Sequence, residues 1–233
     1  MRTNAMTLLT GLTATLLSLP ADATIVNWAR LGRWEAGSNE INGTFATAEG
    51  PIDLKFAGTG INFAQVNGEG TNYWSEPDPQ ARPYTSGSVA NAPDRPDIIA
   101  LREGGLKTIT FSRAVTDPFI ALASWNTNRV TLSDPFSIVS SGCGYFGCGS
   151  FGDVTRTSFT GVDELHGIIQ LHGTFDHLSF TDTDEYWHGL QIGISNVAAV
   201  PEPATWAMMI VGLGLVGTML RRRRRAAAMI APA

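Results

Sequence analysis

"ITFSRAVTDPFIALASW", residues 109–125, sets two apolar runs of strand length on either side of an Asp117-Pro118 pair. In the first run Ile109 and Phe111 alternate with Thr110 and Ser112, the two-residue period of a half-buried strand. Pro118 has no N–H to give to a ladder, and an Asp before it favours a local turn, so the pair ends one strand and starts the next. The expected product is an antiparallel hairpin.

Working outward, runs of the same kind recur between Gly, Pro, Asn and Asp breakers: "IDLKF", "INFAQV", "RVTL", "FSIVS", "RTSFT", "GIIQL", "HLSFT" and "GLQIGI". In the last, Leu190, Ile192 and Ile194 share one face while Gln191 and Gly193 occupy the other. Residues 24–197 show no sustained helical period with caps. So many short strands bury their apolar sides only by pairing face to face, which predicts an all-β, jelly-roll-like two-sheet β-sandwich. Asn42-Gly43-Thr44 fits a glycosylation sequon or, better, a turn.

The two ends differ from this body. Residues 1–23 carry one early cation, Arg2, then an apolar stretch over 6–19 and small residues at Ala21 and Ala23. This is the pattern of a signal peptide cleaved after Ala23, and the stretch is shorter than the roughly 20 residues a spanning helix needs. Residues 204–220 form a run of 17 without charge, with Trp206 near its start and Arg221, Arg222, Arg223, Arg224 and Arg225 after it. The expectation is a single transmembrane helix with Trp206 in the interfacial belt and the arginines in the cytoplasm. Residues 24–199 then make an extracytoplasmic sandwich domain, 200–225 an anchor and processing segment, and 226–233 a short cytoplasmic tail.

Of the 16 basic residues, Arg2 and the five arginines above lie outside the body, as do Asp22 and Glu202 of the 21 acidic ones. The body is left with 10 basic against 19 acidic residues. Such a surface repels phosphate backbones, which excludes nucleic acid as a partner. The two cysteines, Cys143 and Cys148, lie in "SGCGYFGCGS". In an exported chain that spacing favours a disulfide, here one that shapes a loop rather than holding the fold.

Candidate chemistry concentrates in two places. Residues 66–97 are rich in Pro, Gly, Asn and Ser and carry Tyr73, Trp74 and Tyr84 among charged groups. These rings either stack on a glycan or pin the loop to the sandwich. All four histidines fall in "DELHGIIQLHGTFDHLSFTDTDEYWHG". His166 and His172 are six strand positions apart, about 20 Å, too far to share an ion, while His177 and His188 meet only if their strands are neighbours. Asp182, Asp184 and Glu185 are weak calcium candidates, with an acidic turn as the alternative. No G-x-S-x-G nucleophile motif occurs, and neither a catalytic residue nor a cofactor is expected.

"VPEP" before the apolar run is extended and accessible, because its prolines restrict the chain and remove donors. Pro201-Glu202-Pro203, then "WAMMI", a Gly-x-Gly and the arginine cluster resemble the PEP-CTERM sorting signal of Gram-negative bacteria. The resemblance implies secretory export, transient retention in the inner membrane, and processing at or near Pro201, Glu202 and Pro203 by an exosortase. It also implies a role in exopolysaccharide, biofilm or cell-surface assembly. "ITFSRAVTDPFIALASW" and "GIIQLHGTFDHLSFTDTDEYWHGLQIGI" are similar, less specifically, to sandwich domains that accompany this signal. The expected function is that of a noncatalytic surface or matrix protein that binds exopolysaccharide. The alternative is an extracellular carbohydrate-active hydrolase on the same fold.

Overall fold

The computed structural model describes residues 23–195, together with Val211, Gly212 and Gly214, which are helical. These helical residues belong to a different unit from the strands up to Ile194. The expected signal peptide, and most of the expected anchor and tail, lie outside the described residues. Among the described residues no helix is long and apolar enough to cross a membrane.

Fifteen strands build the first unit in two layers. One sheet contains β2 (Arg30–Leu31), β3 (Glu40–Phe45), β4 (Ile52–Gly58), β7 (Gly105–Thr116), β9 (Arg129–Leu132), β11 (Gly147–Gly152), β12 (Ser158–Asp163) and β14 (Thr174–Asp182). Its order is β2-β3-β4-β7-β14-β9-β12-β11. The other contains β1 (Val26–Trp28), β5 (Ile61–Gln65), β6 (Ile98–Leu101), β8 (Phe119–Trp125), β10 (Phe136–Gly144), β13 (Leu165–Leu171) and β15 (His188–Ser195). Its order is β10-β13-β8-β15-β6-β5, with β1 also on β15. The β10–β11 hairpin joins the sheets at one end through the Cys143↔Cys148 and Gly144↔Gly147 pairs. At the opposite edge the Asn67 N–H donates to Leu31 O, and the buried Asp97 accepts from the N–H of Leu31 and Gly68. The sandwich is therefore almost a closed barrel, which leaves little open sheet edge.

The sheets are buried differently. In the first, β3 and β4 alternate: Ile41, Phe45, Leu54 and Phe56 face the core, and Glu40, Thr44, Asp53 and Lys55 face water. In the second, β8 is buried at every position. Ile120 and Leu122 point into the inter-sheet core, whereas Phe119, Ala121 and Ala123 belong to a second apolar cluster with Trp28, Ile168, Trp74, Tyr84 and Val89. Residues 66–97 contain no strand; they cover the outer face of the second sheet.

Two expectations need correction. The run around Asp117-Pro118 is not a hairpin: β7 pairs with β4 and β14, and β8 pairs with β13 and β15, so the chain crosses between layers. Asp117 takes φ +49°, its N–H donates to Gly173 O, and its carboxylate accepts from the Gly173 N–H. A layer-crossing corner and a hairpin place the same demand on local sequence, a ladder stop and a left-handed residue, so the pair alone does not separate them. Asn42-Gly43-Thr44 lies within β3 rather than in a turn. There a side chain at Gly43 would meet Arg30 O at 3.0 Å, so the glycine allows β2 to come close.

Candidate functional site

At the end of the second sheet, where β8 finishes and β13 and β15 begin, lies a cleft of about 600 Å³. Its floor carries Ser124, Asn126, Glu164 and Glu185, and its walls include Tyr73, Phe146 and Trp187. Tyr73 stacks on Phe146 at 5.5 Å and tilts against Trp187 at 5.0 Å, and Phe146 lies 4.8 Å from Trp187. A second concavity, of about 530 Å³, lies over exposed positions of the first sheet and includes Arg30, Asp53 and Lys55. We regard it as an open face, because none of its polar side chains is buried.

The floor depends on a β-bulge. The pairing of β13 with β8 shifts between Leu165↔Trp125 and Gly167↔Leu122, which inserts Ser124 as an extra residue with φ +57°. The insertion keeps Trp125 in the core and turns Ser124 outward, where its hydroxyl donates to Glu164 Oε2. Thr127, also on the cleft, has φ +54°. Left-handed conformations at two non-glycine residues cost free energy and persist only where the surroundings fix them. Asn126 sits between them and links the two acids: its N–H donates to Glu185 Oε1 at 2.7 Å and its amide to Glu164 Oε1 at 3.5 Å.

Behind Glu185 a polar chain enters the core. The fully buried Lys107 ammonium donates to Asp182 Oδ1 at 2.6 Å and to Glu103 O at 2.7 Å. Asp182 Oδ2 accepts from His188 Nε2 at 2.9 Å, which leaves His188 Nδ1 facing Glu185 Oε2 at 3.3 Å. Neither of those two atoms has a hydrogen-bond partner. Burial pushes the Glu185 carboxyl up to about 8, with the Glu164 and Asp182 charges adding to the effect, and burial holds His188 below its ordinary value.

Of the three rings named in the loop, the structure separates one from two. Trp74 and Tyr84 are core residues and present no platform for a glycan. The Trp74 indole donates to Asp97 O, and the Tyr84 hydroxyl meets Leu122 O at 3.0 Å and His166 Nδ1 at 2.8 Å. His166 is itself buried, and desolvation lowers it to about 4. Tyr73 alone reaches the cleft.

The calcium candidates do not converge. Asp182 is committed to Lys107 and His188, Asp184 accepts from the Gly104 N–H, and Glu185 is tied to Asn126. An ammonium already fills the position a cation would take beside Asp182. Among the described residues no group of three or more His, Cys, Asp or Glu side chains is placed to hold a metal ion. His177 and His188 lie in different sheets.

Cys143 and Cys148 form the expected disulfide, as a cross-strand pair at the tip of the β10–β11 hairpin. The ring they close includes Phe146, and the Cys143 N–H donates to Ala81 O, so the hairpin also holds the covering loop. The sequence did not single out Phe146, Trp187 or Ser124. Glu164, Glu185 and Trp187 do belong to the histidine-rich stretch that drew attention.

The described residues thus define an all-β protein of two stacked sheets with an acid- and aromatic-lined cleft at one sheet end. Residues 199–225 match the PEP-CTERM protein-sorting motif, a span that includes Pro201, Glu202, Pro203, Trp206 and all five arginines of the cluster. The motif implies export, processing by a membrane exosortase, and passage through the membrane before a cell-surface or extracellular destination. No curated protein and no solved structure matches the chain.

Proposed function

We propose that the chain is a noncatalytic surface or matrix protein that binds exopolysaccharide in the cleft, held transiently by its C-terminal segment and released at or near Pro201-Glu202-Pro203. The observation that carries the binding reading is the grouping of Tyr73, Phe146 and Trp187 around one opening whose floor is polar. Sugars present apolar ring faces and a rim of hydroxyls, and rings beside polar groups suit both. A panel of polysaccharides titrated against the full chain tests it. Binding is expected to fall at least about tenfold in Trp187→Ala, while the melting curve stays close to that of the parent.

One observation favours a second reading, a carbohydrate hydrolase. Glu185, raised to about 8, and Glu164 hang on the same Asn126, and glycosidases pair a protonated acid with a carboxylate. Reducing-sugar release from the same panel decides between them. None is expected, and release abolished by Glu164→Gln would replace the binding reading. Mass spectrometry of the mature C-terminus tests the processing step, where a retained arginine cluster would exclude it.

A further inference from the structure

Ligand charge is the property the cleft constrains most. The side chains lining it include two carboxylic acids, Glu164 and Glu185, and no Lys, Arg or His. Three donors of its floor are turned to these acids: the Ser124 hydroxyl and the Asn126 amide point to Glu164, and the Asn126 N–H to Glu185. The Glu185 side chain is only 9% exposed, and its Oε2 is buried without a partner. That oxygen faces His188 Nδ1 in the core, so the charge open to a ligand is that of Glu164. The walls add to this. The faces of Trp, Tyr and Phe rings attract cations through their quadrupole, and Tyr73, Phe146 and Trp187 supply three such rings beside the two acids. Arg102 lies over the exposed ring of Tyr186, 5.5 Å from its centroid, at the rim.

We infer that the cleft selects a sugar bearing a free, protonated amine, whose ammonium sits among Tyr73, Phe146 and Trp187 and donates to Glu164. The inference rests on the glycan-binding reading above and narrows it to one class of ligand. An ammonium brings three donors and a positive charge to a site lined by acids and by no basic side chain. A uronic acid would set carboxylate against carboxylate and is rejected. An N-acetylated sugar keeps its ring faces but loses the charge and two of those donors.

The test uses the full chain in a polyoxyethylene detergent, which carries no sugar headgroup to compete. Calorimetric titration compares triglucosamine, its fully N-acetylated counterpart, trigalacturonate and trilysine. Triglucosamine is expected to bind at least about tenfold more tightly than the N-acetylated trimer, with no signal from trigalacturonate. Glu164→Gln is expected to reduce that preference to less than about threefold, while Glu49→Gln, on an exposed acid, leaves it unchanged. Equal or tighter binding of the N-acetylated trimer overturns the inference and leaves glycan binding standing. Binding of trilysine as tight as that of triglucosamine, or a preference that survives Glu164→Gln, also overturns it, because attraction to the acidic surface then suffices. If no saccharide binds, the glycan-binding reading falls as well.

Discussion

The second sheet has two apolar faces, and they are built differently. Its inner face meets the first sheet in a core of strand against strand, with Ile120, Leu122, Ile169 and Leu190 packed near Phe56 and Phe180. Its outer face has no sheet to meet. It is covered by residues 66–97, irregular chain that inserts Trp74, Tyr84 and Val89 against Phe119, Ala121 and Ile168. The inner core draws its order from ladders that satisfy the backbone automatically. The outer core must satisfy it piece by piece: Glu76 accepts from the N–H of Tyr84 and Thr85, Asp97 from Leu31 and Gly68, and Asn91 from Val26. A loop can be buried only where side chains take over the pairing that a sheet provides. The difference teaches where a site can form, because the cleft opens where the irregular cover stops.

Substitutions can break this comparison, beginning with the largest expected effect. Phe56→Ala removes a fully buried ring from the inner core and should cost about 4 kcal/mol in urea unfolding. Trp74→Ala should cost a similar amount, about 3 to 4 kcal/mol, and in addition expose residues 66–97 to limited proteolysis under conditions in which Phe56→Ala digests only on global unfolding. Equal proteolytic patterns would show that the two cores form one cooperative unit. Tyr84→Phe keeps the ring but strips the hydroxyl from Leu122 O and His166 Nδ1, two buried groups, for a loss of about 2 kcal/mol.

Acidity acts on the buried acid and on the buried histidines with opposite sign. The Glu185 carboxyl, near 4.5 when unfolded and about 8 when folded, keeps its proton in the native state, so stability falls as pH rises from about 4.5 to 8. The groups facing it are His188, Asp182 and Glu164, with Lys107 beyond Asp182. His166, near 6.5 unfolded and about 4 folded, stays neutral, so stability falls as pH drops from about 6.5 to 4, and His188 adds in the same direction. Glu185→Gln should flatten the alkaline limb and raise stability at pH 8 by on the order of 2 kcal/mol, leaving the acid limb intact. The smallest effect on stability is expected at the cleft. Tyr73→Ala should shift unfolding by under about 1 kcal/mol while weakening any bound saccharide, and equal losses of stability and binding would make Tyr73 a packing residue like Trp74.

The contrast also explains what the sequence made legible. β4 and the first half of β7 alternate because the first sheet has one wet face, and "IDLKF" and "TITFS" show this directly. Leu190, Ile192 and Ile194 were separable from Gln191 and Gly193, yet the second group is not exposed: a side chain at Gly193 would strike Trp28 at 2.7 Å, and Gln191 donates to Ala29 O and Asp97 O. Periodicity separates faces but does not say what covers each. The layer crossing at Asp117-Pro118 was hidden because pairing partners are a long-range property. The cleft was hidden more fully. It gathers Tyr73, Ser124, Phe146, Glu164 and Glu185 from five segments, and its floor hangs on an extra residue in β8 that no local pattern announces.

The pairing of β1 with β15 joins the first strand of the domain to its last. A chain that emerges through a membrane with its N-terminus leading must therefore wait: Val26 and Trp28 have no ladder to join until residues 188–195 have followed them out. Closure of the sandwich thus needs the chain up to Ser195, four residues before the sorting motif begins, and such long-range pairing is intrinsically slow.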